Sequence, residues 1–344
     1  MTKGLVIGFA AISALAAGSA HATDADAWKE LSRHTVGGVG GWDLLEVDAA
    51  SRHLFITRGE HLMVLDLDSG KSVGDITGLH RAHGVALVPS LHRGYVSSGG
   101  DDRVVAFDLR TLKPLVDIAT GKNPDAMVYD AVSRRVFALN GRSNDATVID
   151  PATDKAVGTV ALPGKPELAV SDGHGHVFVN LEDKNQVAAI DTKTNSVTQT
   201  WSLGSCEEPS GLAMDVAHAR LFSVCSNKQM AVLDAKDGKI VATVPIGDGP
   251  DGATFDPASG NAFSSNSDGT LTVVHEDDPS HFRVLATVVT PARARTITLD
   301  EKTHRVVLPF AEFGTAPAPT AEQPRPRPPM KPDSFGYVVV GKAG

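Results

Sequence analysis

The sequence predicts an all-β protein with the architecture of a β-propeller, and three observations support this. A phrase recurs about every 42 residues: a strand ending in Asp, a turn, a second strand, a polar hairpin and a third strand ending in Asp. The strands are short and rich in β-branched residues and Phe, whereas Gly, Asn and Asp mark the turns. The pattern fills nearly the whole chain. A period of this length with four short strands per unit is typical of a propeller blade.

Two aspartate positions define the repeat. The first anchor is Asp48, Asp130, Asp172, Asp215, Asp256 and Asp300, with Val88 in the second unit. The second anchor is Asp66, Asp108, Asp150, Asp191 and Asp234, with His275 in the following unit. We interpret these aspartates as turn-fixing residues, because an Asp side chain readily hydrogen-bonds the backbone two residues further on.

Alignment on the first anchor gives seven units and therefore predicts seven blades. The last unit has no fourth strand after residues 337–340, but residues 32–38 resemble residues 242–247 at the end of an earlier unit. Pairing of this N-terminal strand with the last blade would close the ring and remove an open sheet edge. We predict a seven-bladed β-propeller whose last blade is closed by an N-terminal strand.

The first 22 residues are predicted to be a cleaved signal peptide. Lys3 provides a basic start, residues 5–17 are apolar, and residues 20–22 fit a small-x-small cleavage site. We expect a periplasmic, monomeric protein without a membrane span, in which residues 23–344 form one propeller domain. Of the 32 Lys and Arg only Lys3 precedes the cut, and 41 Asp and Glu leave a net charge of −10. This charge opposes nucleic acid as a partner.

The two cysteines, Cys206 and Cys225, flank the first strand and the first turn of one repeat. In an oxidising compartment such a pair usually forms a structural disulfide, and we predict one here. The alternative, a redox or metal-binding thiol pair, lacks C-x-x-C spacing.

The candidate ligand-binding residues lie at one mouth of the central channel, where the chain enters each innermost strand. The position five residues before each first anchor is occupied by Asp43, His83, Asp125, Glu167, Ser210, Asp251 and Arg295. The preceding residue is proline in four of the seven units, which supports the alignment. His83 and Arg295 depart most from the repeat and are therefore the stronger functional candidates.

Several of these groups are also candidate metal ligands. A divalent cation such as Ca²⁺, Mn²⁺ or Zn²⁺ suits oxygen donors with one imidazole, and the candidates are Asp43, His83, Asp125 and Glu167. The alternative is that an Asp after Pro caps its own turn, and we favour this for Asp125 and Asp251 individually.

The hairpin of the last unit departs from the pattern. Residues 314–334 contain seven prolines together with Arg325, Arg327 and Lys331. Such a segment is expected to be extended and to lack a packed core of its own. It leaves from the mouth beside Arg295, so it either lies across the opening as a lid or packs on the outside of the blades.

Residues 140–158 and 256–260, with the Gly-x-x-Pro-Asp openings at Gly121 and Gly247, resemble the repeat of the YVTN-type propellers. The chain after its leader resembles the exported YncE-like proteins of that family over nearly its whole length. The resemblance implies a seven-bladed propeller. It also implies binding of single-stranded DNA, which the net charge opposes.

We expect a noncatalytic binding propeller that recognises a small molecule, a peptide or an exported protein at the channel mouth. The alternative is a lactonase-like hydrolase or lyase, because related seven-bladed propellers carry out ring-opening chemistry. In that case His83 with Asp43 or Asp125 would transfer protons, Arg295 would hold an anionic group, and a divalent cation is the one cofactor to consider. A third alternative is an assembly scaffold. The metalloprotease motif H-E-x-x-H does not occur.

Overall fold

The structure is a computed structural model that describes Met1 and residues 27–38, 40–320 and 326–343. Apart from Met1, the predicted signal peptide at residues 1–22 lies outside the described residues, as does Arg325 of the proline-rich segment. The described residues form 27 strands and two 3-10 turns, Pro89–Leu91 and Glu182–Lys184. Among them, no helix is long and apolar enough to cross a membrane.

Most strands follow one another with short turns between them, and the longest connection joins β26 to β27. The first fourteen are β1 Trp28–Thr35, β2 Leu45–Asp48, β3 His53–Thr57, β4 Gly59–Asp66, β5 Ser72–Val88, β6 Arg93–Ser98, β7 Arg103–Asp108, β8 Pro114–Ala119, β9 Pro124–Asp130, β10 Arg135–Asn140, β11 Asp145–Asp150, β12 Lys155–Ala161, β13 Pro166–Ser171 and β14 His176–Leu181. The remainder are β15 Gln186–Asp191, β16 Ser196–Ser202, β17 Pro209–Asp215, β18 Arg220–Cys225, β19 Gln229–Asp234, β20 Ile240–Pro245, β21 Pro250–Asp256, β22 Asn261–Asn266, β23 Thr270–Asp278, β24 His281–Val289, β25 Thr298–Asp300, β26 Arg305–Phe310 and β27 Gly336–Lys342.

These strands form six antiparallel sheets, which confirms the all-β prediction. Four sheets contain four consecutive strands each: β9–β12, β13–β16, β17–β20 and β21–β24. A fifth has the order β1-β27-β26-β25, and the sixth contains the seven strands β2 to β8. The sequence predicts seven separate sheets, so the number of sheets differs from the prediction.

The difference arises at β5, which runs for 17 residues. Its first part pairs with β4 and its last part with β6, and Ala82 pairs on both sides, with Gly59 and with Ser98. The outer strand of one four-stranded unit therefore continues directly into the inner strand of the next. In the other units a turn separates these two strands.

The N-terminal strand closes the last sheet. β1 pairs antiparallel with β27, with His34 opposite Tyr337 and Thr35 opposite Gly336. Trp28 is 7% exposed and its ring packs edge-on against Phe263 of the preceding sheet, with centroids 5.3 Å apart. The strand therefore covers the edge of β27 and also ties the last sheet to its neighbour.

The anchor aspartates fix turns as predicted. Asp48 accepts a hydrogen bond from the Ala50 amide at 3.0 Å, and Asp108 accepts one from the Arg110 amide at 3.0 Å. Between the sheets, buried aromatic rings recur at the third position of the second strands: Phe55, Tyr95, Phe137, Phe178, Phe222 and Phe263. The core thus consists of the interfaces between neighbouring sheets.

The predicted disulfide is present. Cys206 and Cys225 are bonded, with their Cα atoms 5.5 Å apart, and both side chains are buried. The bond joins the connection entering β17 to the end of β18. It therefore holds the backbone immediately before one of the predicted mouth residues, Ser210.

Candidate functional site

The mouth residues lie where the inner strands begin, and most of them occupy β-bulges. The pairing of an inner strand with its neighbour skips at the positions of His83, Asp125, Glu167, Ser210 and Asp251. A bulge leaves its extra residue unpaired and re-aims the side chain. The same local device therefore turns these five side chains away from the regular ladder.

Side chains of the preceding second strands hold this backbone in place. The contacts are from Thr57 Oγ1 to His83 O at 2.8 Å, from Asn180 Nδ2 to Ser210 O at 3.0 Å, and from Ser265 Oγ to Arg295 O at 2.5 Å. All three donor residues are fully buried. The carbonyls of His83 and Ser210 belong to bulges and are satisfied in this way. In these three cases one unit fixes the mouth residue of the next.

Three of the predicted residues form a cluster at the mouth. His83 Nδ1 lies 2.7 Å from Asp43 Oδ2 and 3.9 Å from Asp125 Oδ1. One donor atom from each residue lies within 4.8 Å of the other two. Two carboxylates and an imidazole are a donor set that fits Mn²⁺ or Zn²⁺. This group of three, here called the acidic cluster, could hold such an ion.

Burial and neighbouring charges shift the pKa values of two residues of the acidic cluster. Burial lowers the pKa of His83, but its hydrogen bond with Asp43 and the charges of Asp125 and Asp43 outweigh this, so the pKa lies above its usual value. Burial raises the pKa of Asp125 to about 6, against the lowering effect of His83. His83 Nε2 is buried and has no hydrogen-bond partner among the described residues. Gly99 lies against this side of the ring.

Glu167 and Ser210 make other contacts. Glu167 Oε1 lies 2.7 Å from Lys165 Nζ, which also pairs with Glu182. Burial raises the pKa of Glu167 to about 8, although Lys165 lowers it. The Ser210 hydroxyl donates to Pro250 O at 3.0 Å. Glu167 was a predicted metal ligand, but it is bonded to Lys165 and lies outside the acidic cluster.

Arg295 forms an ion pair with the mouth residue of the preceding unit. Its Nη1 donates to Asp251 Oδ2 at 2.5 Å, and its side chain is 42% exposed. Burial raises the pKa of Asp251 to about 6, against the lowering effect of Arg295. The guanidinium is thus held by one carboxylate and still faces solvent.

A cavity of about 490 Å³ opens beside Arg295. Its lining combines cationic side chains with apolar and aromatic ones: Trp42, Arg293, Arg295, Phe313, Arg327 and Met330 contribute, together with Gly41, Ser267 and Pro328. Arg293 lies over the Phe313 ring, 4.7 Å from its centroid. Within the described ranges, neither Arg293 nor Arg327 pairs with a carboxylate, whereas Arg295 does. We call this cavity the arginine pocket.

The proline-rich segment forms one wall of the arginine pocket. Its two ends are joined by a bridge between Phe313 and Met330 and by a hydrogen bond from the Gly314 amide to Pro329 O at 2.8 Å. Trp42, which immediately precedes Asp43, packs against Phe313 with ring centroids 6.0 Å apart. The segment therefore lies at the mouth beside Arg295.

Behind the mouth, the inner strands line a cavity on the central channel. The cavity measures about 250 Å³ and is lined by inner-strand residues such as Leu168, Leu212 and Ile297. Glu46 and Glu301 are its acidic lining residues, and burial together with the charge of Glu301 raises the pKa of Glu46 to about 7.

Sequence reasoning identified the mouth positions but missed the arginine pocket. Phe313 and Arg327 have no equivalent in the other units, so the repeat gives no alignment for them. Arg293 occupies the position two residues before the mouth residue, which is Arg81 in the second unit. The three basic residues of the proline-rich segment were a usable signal. Their arrangement with Trp42 depends on contacts between residues far apart in the chain.

Comparison with known proteins supports the architecture. Residues 142–280 match the sequence family described as outer membrane protein assembly factor BamB. No curated protein matches the chain. Among solved structures, a chain of Kuenenia stuttgartiensis hydrazine synthase is similar at a TM-score of 0.51 and 14% identity, covering 71% of this chain and 98% of that one. At that identity the likeness concerns the fold alone. The repeated four-stranded units and these matches define the protein as a β-propeller.

Proposed function

We propose that this protein is a noncatalytic binding propeller that recognises an anionic small molecule, or the acidic end of a peptide, at the channel mouth. The observation that carries this proposal is the arginine pocket, where Arg293, Arg295 and Arg327 line one cavity with aromatic walls. Guanidinium groups bind carboxylates, sulfonates and phosphates through paired hydrogen bonds.

The size and lining of the pocket suit a ligand of this class. A volume of about 490 Å³ lies in the usual range for small-molecule sites. Trp42, Phe313 and Met330 offer apolar surface for the body of the ligand, and the arginines offer charge for its anionic group. The overall charge of −9 favours cationic or neutral partners, but the local charge of this pocket has the opposite sign.

The propeller has seven blades in this proposal. β5 supplies the outer strand of the first blade and the inner strand of the second, which converts the six observed sheets into seven four-stranded units. Residues 23–344 form this single domain, and residues 314–334 are an insertion at its mouth. The YVTN-type phrases at residues 140–158 and 256–260 support a relationship to the YncE-like proteins.

The protein is exported in this proposal, and its partners are small molecules, peptides or other exported proteins. The apolar run at residues 5–17 and the disulfide both support an oxidising compartment such as the periplasm. The match to an assembly-factor family supports a binding or scaffold role. A pure scaffold would use the blade surfaces, and substitutions in the arginine pocket would leave its assembly unchanged.

The test is a binding screen of the purified protein against aromatic carboxylates, sulfonates and phosphates, each paired with its neutral amide or alcohol. We expect thermal stabilisation by anionic compounds and little by their neutral partners. Arg293→Gln should weaken the response. Arg283→Gln, which alters an exposed arginine paired with Asp277 at 3.0 Å, is the matched control. Equal responses to charged and neutral compounds would refute the proposal.

The second candidate function is the lactonase-like hydrolase or lyase. The observation in its favour is the 2.7 Å contact between His83 and Asp43, which resembles the pairing of a general base with its orienting carboxylate. Against it, His83 Nε2 is buried against Gly99, so the atom that would abstract a proton has no access to substrate. A panel of lactones tests this. Turnover that His83→Ala abolishes would establish the enzyme.

A further inference from the structure

A second cluster of metal-ligand side chains lies far from the mouth, where two sheets meet. Asp215 ends β17, His218 lies in the turn that follows, and Glu276 lies on β23 of the next sheet. Since Ser210 at the start of β17 marks the mouth, Asp215 at the end of that strand marks the opposite face. Neither the acidic cluster nor the arginine pocket contains any of these residues.

The geometry brings three donor atoms together. His218 Nδ1 lies 2.6 Å from Asp215 Oδ2 and 2.9 Å from Glu276 Oε1. One donor atom from each residue lies within 4.8 Å of the others. The carboxylates are almost fully buried, with the Asp215 side chain 5% exposed and that of Glu276 3% exposed, whereas His218 is 50% exposed. An ion could therefore reach the carboxylates from solvent through the histidine side.

Glu276 is a buried carboxylate whose hydrogen-bonding capacity is not used. Neither of its oxygens accepts a hydrogen bond of acceptable geometry from any described residue, despite the close approach of His218. Asp215 differs, because its second oxygen accepts the Ala217 amide at 2.9 Å. No Lys or Arg side chain among the described residues pairs with Glu276; its one ion-pair contact is His218. Burying a carboxylate whose one ion-pair contact is a half-exposed histidine is costly, and either a proton or a bound cation can compensate for this.

Glu276 also departs from the repeat. The residue after the second anchor donates its amide to the carbonyl of the residue before the second strand, and this hydrogen bond recurs at Leu67, Leu109, Thr192, Ala235 and Glu276. The position is thus structurally equivalent in these units. Where the first two units bury a leucine, this unit buries a carboxylate.

His218 departs from the repeat in the same junction. Three residues after the first anchor, other units place a hydroxyl that donates to the anchor: Ser51 to Asp48 at 2.8 Å, Ser259 to Asp256 at 2.6 Å and Thr303 to Asp300 at 2.6 Å. His218 replaces that hydroxyl and lies against both carboxylates. Two independent departures from the repeat, in two different units, therefore meet at one point.

We propose that Asp215, His218 and Glu276 form a binding site for a divalent first-row transition metal ion, with Zn²⁺ and Mn²⁺ as the best-suited ions. One imidazole with two carboxylates favours these ions over Ca²⁺ and Mg²⁺, which prefer oxygen donors alone. Tetrahedral Zn²⁺ separates its donor atoms by about 3.3 Å. Small side-chain rotations would open the observed 2.6 and 2.9 Å contacts to that spacing. The ion would join two neighbouring sheets on the face opposite the mouth.

The experiment is equilibrium dialysis of the EDTA-treated protein against Zn²⁺, Mn²⁺, Ca²⁺ and Mg²⁺, with elemental analysis. The two test variants are His218→Ser and Glu276→Leu. Each introduces the residue type that other units of the repeat have at the equivalent position. We expect one equivalent of Zn²⁺ or Mn²⁺ at this site in the wild-type chain, and an affinity for that equivalent lower by about tenfold or more in each variant. The double variant Asp43→Asn with His83→Ala disables the acidic cluster and should retain that equivalent.

A second readout is thermal unfolding. Zn²⁺ should raise the melting temperature of the wild type but not that of Glu276→Leu. Without metal, Glu276→Leu should be more stable than the wild type, because the buried carboxylate is gone. The proposal is overturned if the wild type binds neither Zn²⁺ nor Mn²⁺. It is equally overturned if His218→Ser and Glu276→Leu both bind the metal ion with wild-type affinity. The same holds if only the acidic-cluster variant, Asp43→Asn with His83→Ala, loses metal binding.

Discussion

Arg295 donates from Nη1 to Asp251 Oδ2 at 2.5 Å, and this contact links the mouth positions of two consecutive units. The ion pair restricts a long side chain before any ligand arrives, which lowers the entropic cost of binding. With 42% of the side chain exposed, the guanidinium still has donors available on the side of the arginine pocket. At this repeat position, which is acidic in four of the seven units, the last unit thus has a cation held in place by an ion pair, beside the proposed binding pocket.

The carboxyl groups of the mouth make stability depend on pH. Glu167 has a folded-state pKa of about 8, raised by burial from an ordinary 4.5. A raised pKa means that the folded state holds the proton more tightly, so this contribution is complete below pH 4.5 and is lost as the pH rises through 8. We expect the free energy of unfolding to fall between pH 5 and pH 8.5, and Glu167→Gln to remove on the order of 1 kcal/mol of that fall.

Urea unfolding across this pH range measures the effect. Glu60→Gln serves as the control, because it removes a carboxylate whose side chain is 76% exposed. If the free energy of unfolding changes with pH equally in Glu167→Gln and the wild type, the Glu167 carboxyl ionises with an ordinary pKa.

The His83 imidazole should titrate above its ordinary value. Its contact with Asp43 at 2.7 Å stabilises the charged ring, so Asp43→Asn should lower the pKa of His83. NMR titration of the histidine ring signals measures this shift. Asp101→Asn, which removes the carboxylate beside His80, should leave the His83 titration in place. A His83 pKa that ignores the Asp43 substitution would contradict the geometry of the acidic cluster.

The disulfide should contribute substantially to stability. It joins residues separated by 19 positions, and closing a loop of that size stabilises a protein by about 3 kcal/mol in the chain-entropy description. We expect the double variant Cys206→Ala, Cys225→Ala to lose about that much in denaturant unfolding. A reducing agent should destabilise the wild type and leave the double variant unaffected. An unchanged free energy of unfolding after reduction of the wild type and in the double variant would contradict this role.

Closure of the last sheet should depend on Trp28. Its ring is buried between β1 and the preceding sheet, so Trp28→Ala should cost about 3–5 kcal/mol and expose the edge of β27. Equilibrium unfolding measures the loss, and light scattering measures the aggregation expected of an open edge. Val289→Ala, at a side chain that is 82% exposed, is the control and should have little effect. A stable, monomeric Trp28→Ala variant would show that β1 does not close the fold.

The repeat made much of this architecture predictable. An anchor aspartate indicates a turn because its side chain hydrogen-bonds the backbone of the next residues, so the turns at Asp48 and Asp108 could be assigned from the sequence. The mouth positions were then located by counting back from the first anchors. The bulges that re-aim the mouth residues could not be predicted, because a bulge changes the strand pairing without a strong signal in the local sequence. The continuous strand β5 could not be predicted either, because the pairing of Ala82 with both neighbouring strands arises only in the folded sheet.

The sites themselves were only partly predictable. His83 and Arg295 could be proposed as candidates from the sequence because they break the repeat at an aligned position. The same reasoning applied at the other end of the strands would have found His218 and Glu276. The arginine pocket depends on Arg327 and Phe313 in the proline-rich segment, whose position follows from tertiary contacts such as the Phe313–Met330 bridge.

The central claim is that the mouth binds an anion through Arg295. The most direct measurement is the calorimetric affinity of the best aromatic anion from the screen for the wild type and for Arg295→Gln, alongside its neutral amide. Loss of a charge-assisted hydrogen bond predicts affinity weaker by about tenfold or more for the variant, and the amide should bind as poorly to both proteins. Equal affinity of the wild type and Arg295→Gln for the anion would contradict the account.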